Sequence, residues 1–342
     1  MKLASIETIT EILPIEGADK IELARVQGWQ SVIKKNEYKV GDQVIFVPID
    51  TVLTPASWNE FLWDKQDPSK PIRVKTVKLR GTISQGLIFP KTLISAQEIW
   101  DHMNDESEDV SIAGLLGITK YEKPIPAQLS GMVKGEFPSF LINKTDEDNL
   151  KSNISVLTEF LEAESVAATV KYDGTSATYI KEKDGTFRVC SRNLELKMTP
   201  ENVHWKMALK YNLQEKMLPG TSIQGEICGP GIQSNPMGLH QLDLFVFNYK
   251  ELNSPGYYFR IPTEIGLDIP EVPVHTIWTK EEFCKMDIDQ LQEYVNKIKY
   301  DNGKPAEGLV FRGLSSCGKF IKVSYYLHKM LSVKIINQNY KD

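Results

Sequence analysis

Residues 167–174 read AATVKYDG, and they decide how the rest of the chain is interpreted. An apolar run ends at Lys171, and Gly174 lets the chain turn sharply into a second strand-like segment at 176–181. On an extended chain Lys171 and Asp173 point to the same side. A lysine at a strand end can act as a nucleophile once a pocket lowers its pKa. Because the string 171–174 is also typical of an ordinary surface turn, its interpretation depends on the residues that follow.

Polar and aromatic residues follow the later predicted strands in a fixed order. The strings are SRN at 191–193, QGE at 224–226, LFVFN at 244–248, AEGLVFR at 306–312 and KFIKV at 319–323. They supply cations, carboxylates and an aromatic face at Arg192, Glu226, Phe247, Glu307, Lys319 and Lys322. Nucleotidyl transfer from a metal-bound triphosphate needs these groups: cations for the phosphates, carboxylates for metal and ribose, and a ring beneath the base. Each residue alone also fits a structural role, but six in order make coincidence improbable.

The first ninety residues read as short strands separated by turn signals, at 6–13, 21–26, 31–34, 43–49, 73–80 and 87–89. This spacing predicts a small β-barrel of the OB type at 1–92, a fold that often binds nucleic acid. A barrel that serves only in assembly is the alternative. Residues 69–81 hold five cations and no acid, so we predict a phosphate-binding surface at Arg73, Lys75, Lys78 and Arg80. A solvated strand pair is the alternative for this surface.

The rest of the chain is predicted as a linker at 93–120 and a larger domain at 121–342. The linker begins with a helical pattern at 93–103 and then becomes acidic. The larger domain has strand patterns at 167–171, 176–181, 187–191, 222–227, 242–249, 309–312 and 320–324, and helical patterns at 149–160, 201–211 and 280–296. We therefore predict an α+β protein, in which an OB-like barrel is followed by a domain of antiparallel sheets with flanking helices.

The composition is that of an ordinary globular protein. The chain has 342 residues, 41% hydrophobic and 25% charged, with a net charge of −5. Net charge does not exclude a nucleic-acid partner, since binding needs only a local basic surface. The sequence lacks a long apolar run and a signal-peptide pattern, and its four cysteines and five histidines show no zinc-binding spacing. A cytoplasmic protein without a membrane partner or structural zinc is the expectation.

The ordered series resembles the covalent nucleotidyltransferase superfamily of DNA ligases, RNA ligases and mRNA-capping enzymes. It looks like motif I at Lys171, Ia at Arg192, III at Glu226, IIIa at Phe247, IV at Glu307 and V at Lys322. Within the superfamily the chain is most similar to ATP-dependent RNA ligases with an amino-terminal OB domain, the Naegleria type. The supporting strings are PIEGADKI at 14–21, RG at 80–81 with SQGL at 84–87, and KTDE at 144–147.

The resemblance implies an ATP-dependent RNA ligase that seals 3′-OH and 5′-phosphate RNA ends through a lysyl-AMP intermediate, in RNA repair. It implies ATP and Mg²⁺ as cofactors, with Mn²⁺ as a substitute, and nicked, broken or templated RNA ends as partners. The enzyme would act as a monomer on ends healed by a separate kinase or phosphatase. Its fold would be of the ATP-grasp-like ligase type.

The resemblance also implies a role for each motif residue. Lys171 would be the nucleophile in a nucleotide pocket that includes Val170, and Asp173 would orient it. Arg192 would contact ribose or the 3′-OH strand, and Phe247, with Phe245 as the alternative, would stack on adenine. Asp173 would also reach the ribose. Glu226 would hold the ribose 2′-OH or a metal-bound water, Glu307 would contact the metal or Lys171, and Lys322 would contact the α-phosphate.

Two features separate this sequence from its relatives. Many relatives carry two motif V lysines two residues apart, whereas Lys319 and Lys322 are three apart and cannot both face one side of a regular strand. We favour Lys322, although a bulge could bring in Lys319. DNA ligases and capping enzymes place their barrel after motif V, and only 20 residues follow Lys322. An RNA ligase is therefore favoured over a capping-type guanylyltransferase or a non-catalytic RNA-binding protein on the same fold.

Overall fold

The computed structural model describes residues 2–63, 67, 70–102, 108–121, 131–199, 201–254, 256–315, 319–324 and 329–340, without the side chains of 100–102 and 108–111. The chain forms two compact units. The first comprises Met1–Pro124 with Lys151–Ile154, and the second comprises Ile125–Leu150 with Ser155–Asp342.

The first unit is built on a curled five-stranded sheet. Its strands lie side by side in the order β3 (Trp29–Lys34), β2 (Ile21–Val26), β1 (Ser5–Pro14), β4 (Gln43–Val47) and β9 (Leu87–Pro90). A bulge between Ile9 and Glu11 in β1 sharpens its twist, so that one half of the strand pairs with β4 and the other with β2. The sheet curls further where Gln85 N donates to Gln30 O at 2.7 Å. This is the predicted OB-type fold. Its strands are β1 (Ser5–Pro14), β2 (Ile21–Val26), β3 (Trp29–Lys34), β4 (Gln43–Val47), β5 (Thr51–Leu53), β6 (Ile72–Arg73), β7 (Val77–Leu79), β8 (Thr82–Ser84), β9 (Leu87–Pro90) and β10 (Thr119–Lys120).

Residues 93–120, predicted as a linker, instead pack onto this barrel as far as they are described. They form α1 (Ala96–His102), α2 (Glu108–Leu115) and strand β10, which pairs with β5. The side chains of Ile99, Ile112 and Ile118 are buried in one cluster with the barrel residues Ile45 and Phe89. Three spaced isoleucines thus provide the apolar face, which the acidic residues of the segment obscured in the sequence. Residues 103–107 of the predicted linker lie outside the described residues.

The second unit contains a 13-stranded sheet with the path β11-β16-β15-β14-β17-β18-β19-β22-β21-β13-β20, joined by β12 and β23. All its strand pairs are antiparallel except β12 with β23. The strands are β11 (Val133–Glu136), β12 (Asp148–Asn149), β13 (Ser165–Lys171), β14 (Thr175–Lys181), β15 (Phe187–Cys190), β16 (Leu194–Leu196), β17 (Thr221–Cys228), β18 (Asp243–Glu251), β19 (Tyr257–Tyr258), β20 (Val274–Thr279), β21 (Gly308–Leu314), β22 (Phe320–Ile321) and β23 (Ser332–Ile336).

The helices of the second unit cover two separate apolar clusters. The helices are α3 (Val203–Lys210), α4 (Leu213–Lys216), α5 (Lys280–Cys284) and α6 (Ile288–Val295), with 3₁₀ turns at Leu150–Ser152, Ile154–Glu162 and Thr263–Ile265. One cluster holds Phe160, Phe283 and Phe311, all fully buried. The single helix predicted at 280–296 is interrupted because Asp287 caps the N-terminus of α6, accepting a hydrogen bond from Gln290 N at 2.8 Å. None of the helices in the described ranges is both long and apolar enough to cross a membrane.

Candidate active site

Lys171 lies at the end of β13 and forms an ion pair with Glu307. The register of β13 with β21 places Lys171 opposite Gly308, so Glu307 immediately precedes the paired strand. The two charged groups are 2.7 Å apart, from Lys171 Nζ to Glu307 Oε2. Both side chains are mostly buried, with 25% and 17% of their surface exposed. The structure therefore brings together the proposed nucleophile and the proposed motif IV acid, which are 136 positions apart in the sequence.

Two tyrosines that the sequence did not single out hold this pair in place. Tyr300 Oη donates to Lys171 O at 3.0 Å and accepts from Glu307 N at 3.1 Å, which joins the two main chains through one hydroxyl. Tyr340 Oη donates to Asp173 Oδ2 at 2.6 Å, so the carboxylate two residues beyond the lysine is also fixed. Hydrogen bonds of this kind fix a reactive side chain relative to its neighbours before any substrate binds.

Glu226 lies beside the ion pair on β17, opposite Ser176 of β14. Burial raises the pKa of the Glu226 carboxyl to about 8, with Lys171 opposing the shift and the charges of Glu307 and Asp173 adding to it. Gly174 makes the close approach possible, because a Cβ there would lie 2.3 Å from Ile227 O and 2.9 Å from Glu226 Cγ. A carboxyl this crowded by other acids is a group that a cation would stabilise in its ionised form.

Lys171 itself is held in the protonated state. Burial alone would lower the pKa of Lys171, but the charges of Glu307 and Glu226 outweigh it and hold that pKa above its usual range. A protonated amine is not a nucleophile. The ion pair with Glu307 therefore favours the unreactive, protonated amine, and loss of that contact would favour release of the proton.

A second lysine, Lys334 on β23, lies on the same face of the sheet. Thr169, Val310 and Lys334 are paired in one row across β13, β21 and β23, and Lys171 lies two residues beyond Thr169 on the same side. Burial and the charge of Lys171 lower the pKa of Lys334. Its ammonium group has no hydrogen-bond acceptor within the described part of the chain. Lys334 is therefore an unengaged cation next to the nucleophile.

Glu147 and Arg312 extend the charged site along the sheet. Glu147 accepts a hydrogen bond from Ser332 Oγ at 3.4 Å, and its carboxylate lies 3.7 Å from Arg312 Nη2. The charge of Glu147 also contributes to the pKa shifts of Lys171 and Lys334. Arg312 is only 2% exposed and donates through Nη1 to Phe247 O at 2.5 Å. Glu147, from the string KTDE at 144–147, is thus part of the site.

The two candidate aromatic residues of β18 have different surroundings. Phe247 is part-buried, and the Arg312 guanidinium lies 5.6 Å from its ring centroid. Phe245, opposite Glu226 in the register, packs edge-on against Tyr172 with the ring centroids 4.9 Å apart. Because Phe245 is already in contact with Tyr172, Phe247 stays the better candidate for stacking on a base.

Arg192 and Val170 occupy the margins of the site. Arg192 follows β15 and is exposed, and its Nη2 is 2.6 Å from Asp146 Oδ1. Val170 packs its side chain into the core with Phe311 and other apolar residues, and its N donates to Pro273 O at 2.9 Å. Only the main chain of Val170 is therefore placed to line a nucleotide pocket.

The structure does not bring the two predicted motif V lysines to Lys171. Lys322 N donates to Gly313 O at 2.8 Å, and Gly313 pairs with Val166 of β13. Five residues of strand separate Val166 from Lys171, a distance of about 17 Å. Lys322 Nζ instead donates to Glu162 O at 2.6 Å, and the Lys319 side chain is exposed beside β22. Lys334 occupies the place expected of Lys322, and the apolar alternation of SVKII at 332–336 was the signal for its strand.

The predicted RNA-binding residues of the first unit are only partly engaged in contacts. Arg73 is paired with Asp50, with Nη2 2.5 Å from Oδ1, and lies 3.9 Å above the Tyr121 ring. Lys75, Lys78 and Arg80 are exposed around the β7–β8 hairpin. Arg80 donates to Gly17 O at 3.2 Å. Lys75, Lys78 and Arg80 are therefore more accessible to a phosphate than Arg73 is.

The described residues contain no group of three or more His, Cys, Asp or Glu side chains arranged to hold a metal ion. A hard divalent cation such as Mg²⁺ commonly uses one or two carboxylates and takes its remaining oxygen ligands from water and a phosphate ligand. Glu226 and Glu307 fit that partial donor set, and the crowding of the Glu226 carboxyl agrees with it.

Comparisons with known proteins agree with this arrangement. A family described as an OB-fold domain matches residues 3–91, and a family described as RNA ligase matches residues 164–324. A structure of a Naegleria gruberi RNA ligase variant without ligand is 31% identical, with a TM-score of 0.80 over 98% of this chain and 96% of that chain. A variant with ATP and Mn is 30% identical, with a TM-score of 0.79 over 99% and 97%. A variant with AMP and Mn is 32% identical, with a TM-score of 0.80 over 98% and 97%. No curated protein sequence matches.

An OB-fold unit, followed by an α+β unit in which a strand-end lysine is paired with a glutamate, defines a nucleotidyltransferase of the polynucleotide ligase class. The identity to Naegleria gruberi RNA ligase extends over nearly the whole of both chains. The chain belongs to the RNA ligase family.

Proposed function

We propose that the protein is an ATP-dependent RNA ligase whose Lys171 takes up AMP and passes it to an RNA 5′-phosphate. The observation that carries the proposal is the buried Lys171–Glu307 pair at 2.7 Å, placed in a chain of the RNA ligase family between Glu226 and Lys334. The relatives solved with ATP and Mn or with AMP and Mn support the choice of nucleotide and metal.

In the first step Lys171 Nζ attacks the α-phosphorus of ATP. The N–P bond forms, the bond to the bridging oxygen breaks, and pyrophosphate leaves, while the proton of Lys171 passes to solvent. Lys334 would balance charge on the phosphates, since its ammonium group has no hydrogen-bond acceptor among the residues that the structure describes. Phe247 would stack on adenine, and Asp173 and Arg192 would contact ribose.

Glu226 and Glu307 would hold a divalent cation such as Mg²⁺ or Mn²⁺, which would supply positive charge for the phosphates of ATP. Loss of the contact between Glu307 and Lys171 would then lower the pKa of Lys171 and make its amine nucleophilic. Glu307 would exchange its contact with Lys171 for the cation. The same pair thus keeps the lysine unreactive without substrate and permits attack with it.

In the later steps AMP passes from Lys171 to the 5′-phosphate, and a 3′-OH displaces AMP to form the phosphodiester bond. The exposed Lys75, Lys78 and Arg80 would contact the RNA backbone in the first unit. Such chemistry needs 5′-phosphate and 3′-OH ends, so we also propose a role in RNA repair, as a monomer acting after end-healing by a kinase or phosphatase.

The test is incubation of the protein with α-labelled ATP and Mg²⁺. We expect an acid-stable AMP adduct that is reversed by pyrophosphate and absent from Lys171→Ala. Lys181→Ala is the matched control, because this lysine also ends a strand, β14, and its Nζ donates to Glu215 O at 3.5 Å on the surface.

Four outcomes would contradict the proposal. Lack of any adduct leaves a non-catalytic RNA-binding protein, and labelling by GTP in preference to ATP indicates a capping-type guanylyltransferase. An adduct that persists in Lys171→Ala removes the assigned nucleophile. Equal sealing of DNA and RNA 3′-OH strands would refute the assignment to RNA.

A further inference from the structure

An open cleft lies in the second unit next to the carboxylates of the active site. Its lining includes Asn143, Lys144, Gln224, Asn248, Tyr257 and Met330. Glu147 also lines the cleft, and its charge acts on Lys171 and Lys334. The cleft therefore adjoins the nucleophile, although Lys171 and Glu307 are not part of its wall.

The floor of the cleft is made of amides that are already organised. Gln224 Nε2 donates to Asn143 O at 2.9 Å, and Asn248 Nδ2 donates to Gln224 Oε1 at 3.1 Å. Asn248 is 8% exposed, and its Oδ1 has no hydrogen-bond partner within the described part of the chain. A buried acceptor without a partner is costly, so this amide is arranged for a donor that comes from outside the protein.

The charged side chains around the cleft already have hydrogen-bond or ion-pair partners. Lys144 Nζ donates to Asn193 Oδ1 at 2.9 Å, and Lys329 Nζ lies 3.5 Å from Asp148 Oδ2. Glu147 is paired with Arg312. A phosphate would have to displace one of these contacts, whereas an uncharged nucleoside would not. With Tyr257 and Met330 as apolar walls, the cleft suits a base and its ribose.

Phe140 is an exposed aromatic residue three positions before Asn143 of the cleft wall. It is 79% exposed, in a turn closed by the hydrogen bond from Leu141 N to Pro138 O at 2.9 Å. Because Phe140 lies three positions before Asn143, the Cα atoms of the two residues are at most about 11 Å apart. Exposed aromatic rings beside polar and cationic side chains are the usual stacking platforms for single-stranded nucleic acid.

We propose that Phe140 and the cleft bind the 3′-OH strand of the RNA, with one base stacked on Phe140 and a terminal nucleoside in the cleft. The 3′-OH end carries no terminal phosphate, which matches charged side chains that already have partners, and its hydroxyl groups and base offer donors to Asn248. The inference rests on the proposed ligase function and names the strand that this part of the site receives.

The test separates the sealing step from the earlier steps by using a chemically pre-adenylylated 5′ strand. We expect Phe140→Ala to raise the KM for the 3′-OH strand about fivefold or more, the lower end of what one stacked base contributes. Adduct formation with ATP and the KM for the 5′ strand should be unchanged. Leu209→Ala is the control, because this apolar residue on α3 is also largely exposed, at 59%.

A substrate change and a second variant make the test specific. An abasic residue at the terminal or next position of the 3′-OH strand should weaken the wild type and leave Phe140→Ala unaffected. Asn143→Ala removes an exposed side chain but keeps the carbonyl that Gln224 uses, and it should also raise the KM for the 3′-OH strand.

An unchanged KM for the 3′-OH strand in both variants overturns the inference, as does a KM effect confined to the 5′ strand or to ATP. Normal adduct formation beside an unchanged KM would leave the proposed function intact. If no adduct formed, fluorescence anisotropy with a labelled 3′-OH strand would still compare Phe140→Ala with the wild type, and equal affinity would refute the strand assignment.

Discussion

Replacement of Tyr300 by phenylalanine should weaken both the fold and the adenylylation step. The hydroxyl joins Lys171 O and Glu307 N at 3.0 and 3.1 Å, and Tyr300→Phe leaves both main-chain groups without that partner. Two hydrogen bonds at about 0.5–1.5 kcal/mol each correspond to a loss of about 1–3 kcal/mol in the free energy of unfolding. For a unit of this size that is a fall in Tm of about 2–4 °C per kcal/mol, or about 5 °C in total.

The catalytic effect follows from the same geometry. Without the hydroxyl, Lys171 and Glu307 are less firmly held relative to each other, and a small displacement of a nucleophile costs about tenfold or more in rate. The assays are thermal unfolding by circular dichroism and the rate of adduct formation at saturating ATP. Tyr294→Phe is the matched control, because Tyr294 Oη contacts His275 Nε2 at 2.9 Å on the surface and its loss should change little. A Tyr300→Phe protein with the Tm and adduct rate of the wild type would refute this reasoning.

Three further predictions concern the same site. Lys334→Met should slow adduct formation about 100-fold, as loss of one charge-stabilising donor does, and Lys322→Met should stay within about twofold of wild type. Equal effects of the two substitutions in the labelling assay would refute the assignment of Lys334 as the cation that contacts the phosphates. Because the folded-state pKa of Glu226 is raised from 4.5 to about 8, wild-type stability falls as pH rises between these values. In the presence of a chelator, the free energy of unfolding of Glu226→Gln should therefore exceed that of the wild type. This difference should grow between pH 4.5 and about 8 and stay constant above pH 8. A difference that urea titrations show to be independent of pH would contradict the prediction. Gly174→Ala places a Cβ 2.3 Å from Ile227 O, so the chain should lose adduct formation and unfold at lower urea; wild-type behaviour in both would show that the turn can shift.

The sequence predicted the parts of the site that lie on strands with local signals. Lys171, Glu226 and Glu307 each end or begin an apolar run, and the antiparallel register then brings them together. The sequence predicted the OB-type barrel of the first unit for the same reason, since turn residues separate its short strands. These features depend on period-two alternation and turn chemistry, which are local properties of the chain.

The features that were missed depend on contacts between distant segments. Lys334 lies in a five-residue strand whose role is visible only when β23 pairs with β21, whereas the sequence favours Lys322 because the string VSYYL at 323–327 resembles the tail of motif V. Tyr300 and Tyr340 come from stretches without any motif, and only the fold places their hydroxyls on Lys171 and Asp173. The sequence predicts a linker at 93–120 because acidic residues obscure the spacing of Ile99, Ile112 and Ile118, which the structure buries in one cluster.

The hydrogen bond from Tyr340 to Asp173 spans 167 positions of the chain. During synthesis the strand with Lys171 leaves the ribosome long before Tyr340 is made, because about 5–20 residues are added each second. A nascent chain arrested before residue 334 carries the nucleophile without Lys334 and without the hydrogen bond from Tyr340 to Asp173, so it should not take up AMP. Adenylylation of Lys171 would thus report that the whole second unit has been made and folded, and stalled chains of graded length would show at which residue this capacity appears.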